Sequence, residues 1–350
     1  MINYIIKRLL LMIPTLFGVM LVTFVVTQFV PGGPVEQLVS QLEGSAMTGE
    51  ASSGAHSMYR GATGLDEEYI EEIRELYGFD KPVYERFTIM LTNYLHFDFG
   101  DSYFHNESVI DLMASKLPVS ISLGVWTFFI VYLTCIPLGI SKAVRDGSMF
   151  DVVSSTLILI GYAIPGFVLG ITLLVFFGGG SFFDVFPLRG LVSDNWDAMS
   201  WGDKILDYLW HMVLPIIASV IGSFAVMTML TKNSFIEEIR KQYVLTARAK
   251  GLSQNTVLYR HVFRNAMIPL VTGFPAAFIG AFFTGSLLIE TIFSLDGLGL
   301  LSYESVLKRD YPVVLGTLFL FTILGLIAKL LADLSYVLID PRIHFESVDK

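Results

Sequence analysis

The sequence is short of cysteine and of charge. Its 350 residues include one cysteine, Cys135, which excludes an internal disulfide, an iron–sulfur cluster and a cysteine-rich zinc site. Charged residues make up 16% of the chain, against roughly 25% in soluble domains, which excludes a soluble globular enzyme. Lys and Arg number 23 against 32 Asp and Glu, so the basic surplus that a nucleic-acid binder needs is also missing.

Sequence motifs for catalysis are missing as well. The phosphate-loop pattern G-x-x-x-x-G-K-[S/T] does not occur, so we expect no ATP hydrolysis by this chain. None of the six histidines is paired at metal-ligand spacing, and the G-x-S-x-G pattern of hydrolases is absent. We therefore expect no catalytic residue, no metal site and no cofactor in this chain. An intramembrane enzyme would need paired acids or a metal cluster at depth, and the sequence supplies neither.

Six long apolar runs dominate what is present. A transmembrane helix needs about 20 apolar residues, and lipid offers no partner for backbone N–H and C=O groups. The sequence therefore predicts an all-α polytopic membrane protein with six transmembrane helices. The predicted spans are Leu9–Val30, Pro118–Ile140, Val152–Phe177, Met212–Leu230, Met267–Phe293 and Val313–Ile339. The first run could also be a cleaved signal peptide, but its length and the Pro-Gly-Gly-Pro that follows favour an uncleaved anchor.

The distribution of charge orients these spans. One side carries 13 Lys and Arg against 7 Asp and Glu, and it consists of the N-terminus and residues 141–151, 231–266 and 340–350. The other side carries 9 Lys and Arg against 23 Asp and Glu, and it consists of residues 31–117, 178–211 and 294–312. Because basic residues accumulate on the cytoplasmic side of membrane proteins, the first set is predicted to be cytoplasmic. Both termini are then inside.

Between the spans, the chain is predicted to divide into four parts. They are the N-terminus with the first helix (1–30), an extracytoplasmic segment (31–117), a five-helix transmembrane domain (118–339) and a C-terminal tail (340–350). Within the second part, Gly44–Gly64 is rich in Gly and Ser, which is typical of a flexible insertion. Helices are predicted over Leu65–Tyr77 and Arg86–Leu95, followed by a turn over Phe97–Ser102. This part is therefore expected to form a small helical cap.

The cytoplasmic segment 231–266 is the most informative part of the sequence. Its composition predicts a helix over Ser234–Lys250, in which Ala247 and Ala249 are small and exposed between charges. Gly251 then separates this helix from a second one, which Ser253 can cap. A basic loop that only sets topology would explain the charge. It would not explain a compact helix–Gly–helix pair, so we expect a docking surface for another protein.

Ionisable residues are sparse inside the predicted spans. Lys329 and Asp333 are four residues apart, which predicts an i,i+4 pair near the inner end of the last span. Glu290 near the outer end of the fifth span is either functional or a simple helix cap. Ion-driven carriers usually need ionisable relays near the midplane. Energy for any transport is therefore expected from outside this chain, although a self-sufficient secondary carrier or channel remains the alternative.

Two stretches of the sequence resemble a known family. The cytoplasmic run Tyr243–Leu252, with Arg260–Ala266 and Pro269, resembles the EAA loop of permease subunits of dipeptide and oligopeptide ABC importers. The outer run Gly285–Gly299, with Arg309–Pro312, resembles the last outer loop of that family. The loop's usual acid-Ala-Ala is Leu245-Thr246-Ala247 here, so no salt bridge through that acid is expected. The Gly/Ser insertion and Phe186–Gly190 look most like the Yej-type permeases for peptides and microcin C.

The resemblance implies a mechanism, partners and site residues. The fold would be that of a type I ABC importer permease in a bacterial inner membrane. Its partners would be a second homologous permease, a cytoplasmic ATPase with two nucleotide-binding domains that binds ATP and Mg, and a periplasmic solute-binding protein. The implied ATPase contacts are Tyr243, Thr246, Ala247, Arg248, Ala249, Lys250, Gly251 and Leu252. The implied outer-gate or binding-protein contacts are Glu290, Asp296, Gly297, Arg309 and Asp310.

Overall fold

The computed structural model describes residues 2–29, 79–180, 182–283 and 286–339, and these form helices joined by turns, with no β-strand among them. The helices are α1 (Ile2–Phe29), α2 (Val83–Leu95), α3 (Val109–Val144), α4 (Met149–Ala163), α5 (Gly166–Phe177), α6 (Trp201–Ile239), α7 (Gln242–Ala249), α8 (Gln254–Ala266), α9 (Ile268–Phe283), α10 (Leu287–Ile292), α11 (Leu298–Lys308) and α12 (Tyr311–Ile339).

The number of possible membrane spans agrees with the prediction from sequence. Helices α1, α3, α6 and α12 are each long and apolar enough to cross a membrane. Two bent pairs, α4 with α5 and α8 with α9, meet the same test when each pair is taken as one span. Together they give six. A helix satisfies most of its backbone groups internally, which is why a lipid environment favours it.

The third predicted span is not one continuous helix. Helices α4 and α5 meet at Ile164 and Pro165 with a bend of 89°. Proline has no N–H to continue the helical ladder, and it forces the preceding residue out of the helical region. Ile164 accordingly has an extended backbone, with ψ of 117°.

The fifth predicted span is too long. Helix α9 ends at Phe283, and a separate short helix, α10, follows after Ser286. Ser286 has non-helical backbone angles, with φ of −114° and ψ of 84°, and its N–H donates to the Glu290 carboxylate at 3.0 Å. Glu290 therefore lies outside the span in which the apolar pattern had included it.

The extracytoplasmic segment is described only from Phe79 onward. The predicted insertion Gly44–Gly64 and the predicted helix Leu65–Tyr77 lie outside the described residues. The predicted helix over Arg86–Leu95 is confirmed as α2, which begins three residues earlier, directly after Pro82. The turn over Phe97–Ser102 is also confirmed.

The chain forms two compact units. The second unit, Leu9–Ser115 with Ser302–Ile323, has an aromatic core. The Tyr94 ring lies 4.8 Å from that of Phe99 and 5.2 Å from that of Phe319, both edge-to-face. Edge-to-face pairs add about 0.5–1.5 kcal/mol beyond the area that they bury.

The first unit comprises Met1–Arg8, Lys116–Leu301 and Leu324–Lys350. Within it, the Arg8 guanidinium lies 2.8 Å from the Asp333 carboxylate, to which the Tyr4 hydroxyl also donates at 3.0 Å. The predicted pairing of Asp333 with Lys329 is therefore wrong. An arginine from another helix offers a charged hydrogen bond with better geometry than the weak pairing of helical neighbours.

Candidate coupling surface and membrane cavity

The Gly251 helix pair, defined as α7 and α8 with their connection, is the first candidate site. Gly251 has φ of +80°, and its N–H donates to the Arg248 carbonyl at 2.9 Å, which closes the end of α7. Glycine adopts this left-handed conformation without steric cost. The Ser253 hydroxyl then accepts the Thr256 N–H at 3.3 Å and caps α8. The predicted helix–Gly–helix arrangement is confirmed.

The composition predicted one continuous helix over Ser234–Lys250, but the structure divides this stretch into two helices. Helix α6 ends at Ile239, and Lys241 takes an extended conformation before α7 begins. The Lys241 ammonium pairs with the Glu238 carboxylate, to which the Tyr243 hydroxyl donates at 2.6 Å. This hydrogen bond to Glu238 raises the pKa of Lys241 above its ordinary value. The corner between α6 and α7 is thus fixed by side chains.

One face of α7 is buried. Val244 and Ala247 pack with Phe235 of α6 and with a larger buried cluster. The remaining members of this cluster are Ile140, Ala143, Val257, Leu258, Val262 and Ala266. The expectation that Ala247 is exposed is therefore wrong, because the three-residue spacing from Val244 turns both residues to the same side of the helix.

The opposite face of the pair is open. Six of the eight residues implied by the resemblance are exposed: Thr246, Arg248, Ala249, Lys250, Gly251 and Leu252. Tyr243 is half-buried and Ala247 is buried. Two further residues on this face, Leu245 and Tyr259, were not among the predicted ATPase contacts. Their exposed fractions are 51% and 63%. Large apolar side chains within so charged a segment were the signal that could have found them.

Helix α8 contains a wider π-turn from Val257 to Val262. Such turns are rare, and they often occur at functional sites. Here the π-turn keeps Val257, Leu258 and Val262 buried while Tyr259 and Arg260 stay exposed. Both helices of the pair therefore present a mixed apolar and basic surface.

A cavity of about 630 Å³ is the second candidate site, and it lies in the first unit between α3, α6 and α9. Small and hydroxylated residues line much of it, including Gly124, Thr127, Ser219, Gly222 and Ser223. The Thr127 hydroxyl is buried without a hydrogen-bond partner. None of the described residues lining the cavity is charged.

Two aromatic rings, those of Phe128 and Tyr132, line part of this cavity. They stack at 4.4 Å, and Phe274, which does not itself line the cavity, packs edge-to-face on Phe128 at 5.1 Å. Aromatic walls with scattered hydroxyls are typical of small-molecule pockets, in which apolar area supplies affinity and a few polar groups orient the ligand.

The cavity and the Gly251 helix pair share two helices. Helix α3 contributes Leu123 and Tyr132 to the cavity, and α6 contributes Ser219 and Leu230. Further along the same helices, Ile140, Ala143 and Phe235 pack against α7 and α8. A displacement of the helix pair would therefore reach the cavity walls through two continuous helices.

Glu290 organises the loop that follows α9. Its side chain is fully buried, and its carboxylate accepts the N–H groups of Ser286 at 3.0 Å and Leu300 at 2.7 Å. The Ser120 hydroxyl lies 3.5 Å from the same carboxylate and accepts the Leu298 N–H at 2.9 Å. Burial raises the pKa of Glu290 above its ordinary value. Glu290 thus holds both sides of the loop around α10.

Asp296 and Gly297 lie in the same loop. The Asp296 carboxylate is exposed and pairs with the Lys116 ammonium of α3 at 2.5 Å. Gly297 packs directly on Glu290, because a Cβ atom there would lie 2.5 Å from the Glu290 carboxyl carbon. The structure therefore brings three of the five predicted outer residues together, with Asp296 at the surface.

The other two predicted outer residues belong to the second unit. Asp310 is buried, and it accepts the Ser102 hydroxyl at 2.5 Å and the Tyr103 N–H at 3.1 Å. Burial raises the pKa of Asp310. Arg309 is half-buried, with φ of +58°. Asp310 thus joins the start of α12 to the segment around Ser102.

The buried carboxylate gives a direct prediction. Glu290→Ala should lower the free energy of unfolding by about 1–3 kcal/mol, because it removes the buried acceptor of the Ser286 and Leu300 N–H groups. Denaturant unfolding of the purified protein in detergent measures this change. Glu304→Ala is the control, since Glu304 forms a surface pair with Lys308, and it should cost less than about 1 kcal/mol. Equal losses in the two variants would contradict the assigned role of Glu290.

Comparison with known proteins identifies the family. Residues 135–345 match the family described as "Binding-protein-dependent transport system inner membrane component". The "Peptidoglycan transport system permease protein YejB" of Agrobacterium fabrum is 59% identical over 360 residues, which cover 99% of each chain. The "Inner membrane ABC transporter permease protein YejB" of Escherichia coli O157:H7 is 56% identical, over 98% of this chain and 99% of the relative.

More distant relatives extend the same pattern. The "Dipeptide transport system permease protein DppB" of Escherichia coli K12 is 32% identical, over 98% of this chain and 99% of the relative. The family match covers more than half of the chain, and each of these relatives matches along nearly the whole of it. This chain therefore belongs to the binding-protein-dependent transport system inner membrane components, the permease subunits of ABC importers.

Proposed function

We propose that this chain is one of two permease subunits through which a peptide importer moves its cargo. Two cytoplasmic ATPase domains would bind ATP and Mg and drive it, and an extracytoplasmic solute-binding protein would deliver the peptide. The names of the relatives, which refer to peptidoglycan and dipeptide transport, support a peptide-like cargo. Microcin C, a peptide-like antibiotic, stays a candidate cargo.

The observation that carries this proposal is the direct structural link between an exposed helix pair and an uncharged cavity. Exposed Thr246, Arg248 and Lys250 surround Gly251, and beside them Leu245 offers an apolar contact. A mixed basic and apolar surface suits docking into a cleft of another protein. We propose that the ATPase binds here, and that its closure moves α3 and α6 as rigid levers.

The outer loop would act at the opposite end of the path. Asp296 is the exposed member of the Glu290 cluster, so it is the residue that a binding protein could reach. Glu290 and Gly297, which are buried, would instead hold the loop in its conformation. The positive-inside distribution of Lys and Arg supports an inner-membrane protein with both termini in the cytoplasm.

A carrier that works alone is the second candidate. Ion-coupled carriers place ionisable groups at the substrate site near the middle of the membrane. Among the described residues that line the cavity, none is ionisable except Tyr132. This feature favours an external source of energy, and the experiment below separates the two mechanisms.

Reconstitution tests the proposed function. Proteoliposomes are prepared with this chain alone, and with its second permease, ATPase and binding protein. Uptake of radiolabelled alanine peptides of two to six residues is then measured with and without ATP. We expect uptake only from the complete complex and only with ATP. Uptake by the chain alone, driven by an ion gradient and indifferent to ATP, would establish the carrier instead.

A further inference from the structure

The last turn of α3 contains a fully buried lysine, Lys142, that the transport path does not use. The Lys142 side chain is 0% exposed. Its ammonium donates to the Asp151 carbonyl at 2.9 Å, to the Ser154 hydroxyl at 2.8 Å and to the Ser155 hydroxyl at 2.7 Å. It also lies 3.0 Å from the Asp151 carboxylate. A buried charge is tolerated only with such complete pairing.

Asp151 joins this lysine to a second one. Its carboxylate also accepts from the Lys232 ammonium of α6 at 2.6 Å and from the Gly147 N–H at 3.1 Å. The Ser148 hydroxyl caps α4 by accepting the Asp151 N–H at 3.3 Å. The start of α4 is therefore held to α3 on one side and to α6 on the other.

Lys232 extends the cluster toward the Gly251 helix pair. It lies 3.2 Å from Asp146 in the α3–α4 turn, and Asp146 in turn lies 3.3 Å from Arg240. Arg240 directly follows the last residue of α6, Ile239, and lies two residues before α7 begins at Gln242. Ion pairs therefore connect five charged residues in sequence, from the buried end of α3 to the exposed segment between α6 and α7. In order, they are Lys142, Asp151, Lys232, Asp146 and Arg240.

Close packing supports the same junction. A Cβ atom on Gly139 of α3 would lie 2.5 Å from the Thr231 Cβ of α6, so the Gly139 backbone packs directly on the Thr231 side chain. Only glycine permits such an approach. Helices α3 and α6 are thus in contact one residue before Lys232 and three residues before Lys142.

From this geometry we infer that Lys142, Asp146, Asp151, Lys232 and Arg240 form an inner clamp that makes α3, α4 and α6 move as one body with the Gly251 helix pair. The inference rests on the proposed function and assigns these side chains as positioning residues for energy coupling. Lys232 is central, because among these five described residues it is the one that contacts both aspartates. Without it, α7 and α8 could move while the α3–α4 turn stays behind.

The test replaces Lys232 in the complete reconstituted complex. Lys232→Met retains length but removes the charge. We expect unchanged ATP hydrolysis, with uptake of alanine peptides per ATP hydrolysed reduced about 5- to 150-fold, the typical size of coupling between two sites. Lys232→Arg, which keeps both carboxylate contacts possible, should restore most of the uptake. If Lys232 had a merely structural role, Lys232→Met would lower assembly, ATP hydrolysis and uptake together. The ratio of uptake to ATP hydrolysed would then not be the quantity that Lys232→Arg restores.

Two further variants make the result decisive. Lys204→Met is the matched control at the other end of α6, where the ammonium lies over the Trp196 and Trp201 rings at 5.8 and 5.6 Å, and it should leave the ratio unchanged. If Lys232→Met does not assemble, Asp146→Asn in the half-exposed turn takes its place. Normal uptake per ATP hydrolysed in the Asp146→Asn complex then overturns the inference. Normal uptake per ATP in Lys232→Met also overturns it. Uptake by the unmodified complex without ATP would instead refute the proposed function.

Discussion

Gly251→Pro should separate ATP hydrolysis from peptide uptake. Proline fixes φ near −65°, whereas Gly251 has φ of +80°, and it removes the N–H that donates to Arg248. The end of α7 must then take another path, and the exposed surface around it changes shape. We expect normal membrane insertion, continued hydrolysis and uptake reduced at least about tenfold, equal to roughly 1.4 kcal/mol or more of lost coupling. Uptake and phosphate release in proteoliposomes measure the two activities.

Gly251→Asn is the matched control for this prediction. The space around Gly251 is open, with nothing within 4 Å of a Cβ atom, so a side chain there clashes with no other described part of this chain. Asparagine visits the left-handed region more readily than other residues with a side chain. Its uptake should therefore stay close to that of the unmodified chain. Normal uptake in Gly251→Pro, or equal damage in both variants, would disprove the importance of this backbone conformation.

Gly124→Ala should damage the cavity by pushing α3 away from α9. A Cβ atom on Gly124 would overlap the Ala281 carbonyl oxygen and would lie 2.9 Å from the Ala281 Cα. Because backbone cannot move aside like the end of a side chain, the helices must separate. We expect the free energy of unfolding to fall by about 1–3 kcal/mol, the usual cost of overpacking. Denaturant unfolding in detergent and peptide uptake should both show the loss.

Gly273→Ala in α9 is the corresponding control. It is also a glycine inside a helix, but nothing lies within 4 Å of its Cβ position. Alanine is the better helix former, so this variant should be more stable by about 0.5–1 kcal/mol. The two substitutions add the same methyl group and are expected to act in opposite directions. A loss of stability in Gly273→Ala as large as in Gly124→Ala would rule out the α3–α9 contact as the cause.

Much of the fold follows from local patterns. The apolar runs predict six spans, because a lipid environment and the rise of a helix set the length that each must have. Helix α2 and the Gly251 helix pair follow from capping and stop residues, Pro82, Gly251 and Ser253 among them. The break at Pro165 has an equally local cause.

The candidate site was only partly predictable. The exposed stretch around Gly251 was found from its motif, but Ala247 turned out to be buried, and Leu245 and Tyr259 were overlooked. Glu290 was noticed as an acid in an apolar run, yet its partners were not foreseeable. One of them, Ser120, is 170 residues away along the chain.

The sequence by itself determined the number of apolar spans, the break at Pro165 and the turn at Gly251, since these depend on apolar length and on the backbone limits of proline and glycine. Only the tertiary structure decided which charges meet and which are buried: Arg8 with Asp333, Glu290 with the backbone of its own loop, and both Lys142 and Lys232 with Asp151. The physical reason is that the cost of burying a charge is offset only by partners that helix packing brings near. Neighbours along the chain do not reveal those partners.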